Sequence, residues 1–128
     1  MKIAVVIARV LLGLIFLVFG LNYFFHFIPA PPPPGDAGVF FVVLYTHGWL
    51  LFHGVLYLIA GLLLLLGRFV PVALTILGPI IVNILTFHLT LNLQGIGPGL
   101  LVAVLEIFLI WAYWPAFRGI FTEGLERK

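Results

Sequence analysis

The sequence contains no cysteine, a single methionine and very little charge. Without cysteine, disulfides, thiolate metal sites and thiol redox chemistry are all excluded. Only 8% of the residues are Asp, Glu, Lys or Arg, where soluble domains carry about a quarter. What fills the chain instead is apolar: 64% of its 128 residues are hydrophobic, and the mean hydropathy is +1.32. A chain this short cannot bury that much apolar surface within itself. The composition therefore predicts one domain whose solvent is the lipid bilayer. The net charge of +2 comes from a few cations beside apolar segments, which is a topology signal. Nothing in it points to nucleic acid.

A bilayer core needs about 20 apolar residues in a helix, and four stretches qualify. They cover residues 3–28, 48–66, 69–91 and 98–117. The class expected is all-α, an integral membrane four-helix bundle. "MK" followed by an apolar run also fits a signal peptide, but Arg9 interrupts the run and no convincing small-residue cleavage site follows. The segment is read as a retained helix. Pro31 to Pro34 then impose an extended linker. Residues 29–47 leave two readings, a short lid helix at the interface or an extension of the second span. If they form a lid, Phe40, Phe41 and Leu44 cap the bundle end. Pro71 sits in the first turn of the third span and Pro79 inside it, where a kink is expected. "NLQGIGPG" is a polar turn, and "TEGLERK" a charged tail.

Lys2, Arg9, Arg68, Arg118, Arg127 and Lys128 all fall at the N-terminus, the second loop or the C-terminus. By the positive-inside rule both termini and the second loop of a multi-pass membrane protein are expected to be cytoplasmic. Arg9 is read as an anchor that snorkels to the inner interface. Its side chain then reaches headgroups rather than a site.

The polar residues share a depth. At about 1.5 Å per residue, Asn22, His26, His53, Asn83, His88 and Glu106 all fall in the outer half of the membrane. Trp49, His53, Tyr57 and Gly61 make an i, i+4 stripe, and Gly99, Ala103, Glu106, Ile110 and Tyr113 another. These patterns predict an inward-facing belt of Asn22, His53, Asn83 and Glu106, with Tyr57 beside His53. Each has a plainer reading as well. Asn83 suits interhelical hydrogen bonding, and Glu106 is either functional or held in a structural hydrogen bond, with His53 the nearest partner by depth. His88 points about 140° away from Asn83 around the helix. It is placed with His26 at the outer rim, bonding the third loop or a neighbouring subunit. Nothing in the sequence fixes the faces of His53 and His88 as haem ligands, and a metal site of His26, His53 and His88 has no more support.

"ARVLLGLIFLVFGLNYF", "AGLLLLLGRFVPVAL", "PIIVNILTFHL" and "WAYWPAFRGIF" stand in an order that resembles the DoxX-like family of small bacterial four-helix membrane proteins. Arg9, Gly13, Gly20, Gly61, Gly67, Arg68, Pro79, Asn83 and His88 carry the resemblance, over residues 8–121. It implies a four-helix bundle and a link to quinol oxidase or thiosulfate–quinone oxidoreductase systems, and it assigns no catalytic residues. Relatives often carry an acidic residue in the second helix where this chain has Tyr57, which leaves Glu106 as the candidate replacement. Three functions stay open: a quinone-linked redox subunit or accessory protein, a small transporter or lipid-binding module, and a purely structural subunit of a membrane complex or homo-oligomer. On its own the chain is expected to be non-catalytic.

Overall fold

The computed structural model describes residues 2–29 and 31–124; Arg127 and Lys128, part of the charge argument above, lie outside them. Helix α1 covers Lys2–Phe25, α2 Asp36–Thr46, α3 Trp49–Leu66, α4 Val70–Thr90, α5 Gly97–Ala112 and α6 Trp114–Phe117. Short 3-10 turns at Leu93–Gly95 and Arg118–Phe121 complete the elements, and no strand occurs among the described residues. Three helices, α1, α3 and α4, are long and apolar enough to cross a membrane; α5 with the segment after it makes a fourth if that bent pair is one span. Large apolar side chains cover the outside of the bundle, among them Ile7, Ile59, Val82, Val104 and Ile107.

The closest helix pair is α1 with α3, running antiparallel. Glycine makes it possible. A Cβ on Gly61 would lie 2.8 Å from the Leu17 amide nitrogen and 2.9 Å from the Gly13 carbonyl oxygen. One on Gly20 would lie 2.9 Å from the Tyr57 Cβ. Each helix carries its two glycines seven residues apart, Gly13 and Gly20 against Gly61 and Gly54, so two full turns of backbone meet without side chains between them. Leu12, Phe16, Leu64, Leu74, Leu77 and Leu109 fill the core beside this seam.

At the end where α1 begins, α3 stops at Gly67 in the left-handed region, with φ 68°. Arg68 N–H donates to the Leu63 carbonyl at 3.1 Å and Gly67 N–H to that of Leu64 at 3.2 Å, a Schellman closure. The Arg9 guanidinium donates to the Leu64 carbonyl and, at 3.3 Å, to that of Leu65. Arg9 is thus more than a headgroup anchor. It crosses from α1 to cap α3, placing a cation on the negative end of that helix.

Two spans differ from their expected lengths. Helix α1 ends at Phe25 rather than residue 28, because His26 adopts φ 51° and leaves the helical path. The fourth span is not continuous to residue 117: α5 ends at Ala112, and the segment Trp114–Phe121 turns away by 83°. Pro115 explains the break. It has no N–H to offer the Trp111 carbonyl and its ring crowds that carbonyl, and Tyr113 leaves the helical path at φ −102°, ψ 20°. By contrast, α4 runs on through Pro79. The linker forms a separate helix, not an extension of the next one, since Gly48 in the left-handed region (φ 78°) divides α2 from α3.

Candidate functional site

The bundle is open at the end away from the cations. There α1, α3 and α4 surround a partly open cavity of about 390 Å³, roofed by α2. Helical spacing explains its walls. Phe16, Phe19 and Tyr23 of α1 recur at i, i+3 and i+7, as do Leu50, His53 and Tyr57 of α3; α4 contributes Ile80, Asn83, Ile84, Phe87 and His88. Gly99 and Val102 of α5 close the side.

The roof follows from the prolines. Pro31 and Pro33 line the cavity mouth, and the chain turns there into α2. Phe40 stacks on Phe87 with ring centres 5.7 Å apart, and Phe41 meets the same ring edge-on at 5.2 Å. With Leu44 also in the lining, the three side chains expected to cap the bundle end do so. The opposite face of α2 exposes Val39, Val42, Val43 and Tyr45. At 11 residues it is far too short to span a bilayer.

The polar residues divide into two sets. His53, Tyr57, Asn83 and His88 meet at the cavity, joined by Tyr23, whose ring lies 5.3 Å from that of Tyr57. His53 is half-buried and its Nδ1 donates to the Trp49 carbonyl at 2.8 Å. His88 Nδ1 donates to the Asn92 carbonyl in the third loop at 3.0 Å. Asn83 is exposed into the open space, and its amide donates to the Pro79 carbonyl of its own helix at 3.1 Å rather than across to another. Thr86 and Thr90 likewise bond back to Val82 and Thr86. His88 thus bonds the third loop, as expected, but it also lines the same cavity as Asn83. The α4 wall spans a wide arc, and the two residues sit at its opposite edges.

Asn22 and Glu106 do not line the cavity. The Asn22 side-chain oxygen accepts the Ile28 amide at 2.8 Å, and its carbonyl accepts the His26 amide at 2.9 Å. Asn22 is consumed in closing the end of α1. His26 is exposed, its ring 6.0 Å from that of Tyr45. Glu106 is only 4% exposed, and neither carboxyl oxygen has a hydrogen-bond partner. It packs beside Gly78, where a Cβ would come within 3.8 Å of Oε2. That level is about 8 Å further down α4 than Asn83. The buried line on α5 is Gly99, Val102, Glu106 and Leu109, so Glu106 faces the core and His53 does not reach it. Tyr23 escaped the sequence reading, although the aromatic spacing of Phe16, Phe19 and Tyr23 marks that face.

No group of three or more His, Asp or Glu side chains able to hold a metal ion occurs among the described residues. The cavity offers neutral hydrogen-bonding groups on aromatic and aliphatic walls, which suits a flat, largely apolar molecule with a few polar atoms. Comparison with protein-family models, curated proteins and solved structures finds no match to this chain.

Proposed function

We propose that the chain is a multi-pass protein of the bacterial cytoplasmic membrane, a DoxX-like subunit or accessory protein of a quinone-linked redox system, whose cavity seats a quinone-type ring drawn from the surrounding lipid. The cavity is the observation that carries this reading. Its volume of about 390 Å³ lies within the range of about 300–1,000 Å³ usual for small-molecule sites. Phe40, Phe87 and Tyr57 supply ring faces, while His53, Asn83, Tyr23 and His88 supply hydrogen bonds to ring oxygens. Among the described residues the lining contains no Asp, Glu, Lys or Arg. A neutral ring therefore fits better than a charged headgroup or solute, which ranks this reading above a transporter.

The orientation in this reading follows the positive-inside rule, with Lys2, Arg9, Arg68 and Arg118 at the cytoplasmic end and the roofed cavity near the outer leaflet. Single cysteines at Gly35 and Gln94 should react with an impermeant thiol reagent added outside, and one at Arg68 should not. The reverse pattern reverses the topology. For the ligand, protein purified in mild detergent should retain an extractable quinone-type ring in one or the other oxidation state, and should bind a short-chain quinone or its hydroquinone saturably. Tyr23→Phe combined with Asn83→Leu should weaken binding of either form about tenfold or more, since roughly 1.4 kcal/mol of lost hydrogen bonding is a factor of ten. Neither a retained ring nor saturable binding would leave the reading without support.

A further inference from the structure

Both cavity histidines are tied down through the same ring nitrogen. His53 Nδ1 lies 2.8 Å from the Trp49 carbonyl oxygen, and His88 Nδ1 lies 3.0 Å from that of Asn92. A carbonyl oxygen only accepts, so Nδ1 carries the hydrogen in each ring. The neutral imidazole then holds its lone pair on Nε2. Each acceptor is a backbone group four residues away in the chain, so the tautomer is set before anything enters the cavity. Among the described residues, the buried polar atoms without a partner are the two oxygens of Glu106; neither Nε2 is among them, and both histidines line the cavity.

Resting on the reading above that the cavity seats a redox-active ring, we infer that it selects the reduced, hydroxyl-donating form. The ligand class is a hydroquinone or related phenol rather than a quinone. A quinone oxygen has no hydrogen, and against an imidazole lone pair it sets acceptor against acceptor. A ring hydroxyl donates to the same nitrogen. The Tyr23 and Tyr57 hydroxyls rotate to donate or accept, and the Asn83 amide offers both functions, so these three serve either form. Discrimination therefore rests on His53 and His88. The oxidation state of the ring decides occupancy: the reduced form is held and the oxidised form is released.

The test uses the full chain in lipid nanodiscs under anaerobic conditions, with three probes of one shape. These are a short-chain hydroquinone, the corresponding quinone, and the dimethyl ether of the hydroquinone, which keeps the ring but has no donor. The hydroquinone should bind at least tenfold more tightly than either of the others, and His53→Phe or His88→Phe should bring that ratio toward one. Equal or tighter binding of the quinone or the ether overturns the preference while leaving the ring-binding reading standing. No saturable binding of any probe overturns both. The comparison of probes on the unaltered protein decides the matter even where a variant fails to fold.

Discussion

The two ends of the bundle are built differently. At the cationic end, α1 and α3 touch backbone to backbone across Gly13 and Gly61, and Arg9 closes the α3 terminus. At the other end Gly20 and Gly54 still bring α1 and α3 together, but Tyr23, Tyr57 and His53 beside that contact line a cavity shared with α4, and an aromatic roof spans it. Small residues let α1 and α3 meet along the whole seam; the large side chains next to them line the space left open toward α4.

The largest effect should come from breaking the tight end. Gly61→Leu places a side chain where 2.8 Å separates a Cβ from the Leu17 nitrogen, and overpacking of this kind costs about 3 kcal/mol or more. Loss of the folded, monodisperse protein in detergent is the expected result. If Gly61→Leu unfolds at the wild-type temperature, the seam does not set the helix spacing.

Arg9→Met should be next. It removes charge-assisted hydrogen bonds to the Leu64 and Leu65 carbonyls, worth about 1.5–3 kcal/mol. Arg9→Lys should recover only part of that, because a single ammonium cannot reproduce the guanidinium fork. Thermal unfolding of the three proteins side by side measures the difference. An unchanged midpoint for Arg9→Met would reduce Arg9 to a headgroup anchor.

Between the two ends lies Glu106, buried beside Gly78 with both oxygens unpaired. Glu106→Leu should stabilise the bundle by about 1–3 kcal/mol, the desolvation cost of an unsatisfied buried polar group. It should leave ring binding unchanged, because the carboxyl is not part of the cavity wall. Loss of ring binding in this variant would instead extend the site down to the level of Gly78.

Asn83→Ala should have the smallest effect on folding. Its amide bonds the Pro79 carbonyl of its own helix, so the change should move stability by only about 0.5 kcal/mol. A loss above 2 kcal/mol would mean that Asn83 ties helices together, and that the open end is as firmly joined as the closed one.

Much of this contrast could be read from single residues. The cations cluster at one end in the sequence itself, Pro31 to Pro34 demand an extended passage, and Phe40, Phe41 and Leu44 are too apolar to leave that passage in water. Other features depended on partners that are distant in sequence. Arg9 reads as a headgroup anchor until α3 ends beside it, 55 residues away in the chain. Asn22 is different: its partner is local, the Ile28 amide six residues on, and it looks like a cavity ligand only because the turn that ends α1 at His26 is not anticipated. The bend at Tyr113 did have a local signal in Pro115, which was outweighed by the unbroken hydropathy around it.

Where apolar helices run, where glycine and proline stop or turn them, and which end carries the cations are legible in the chain. Those properties follow from side-chain solvation and local backbone sterics, which act within a few residues. Which polar side chains meet is a property of the packed bundle. Depth along each helix was legible, but the rotation and height of one helix against another depend on how the whole seam packs. A shift of one residue on α5 turns its contact face by about 100°. That is why Asn83 and His88, which looked opposed, share a cavity, and why Glu106, expected at a similar depth, lies lower, in the core beside Gly78, without a partner.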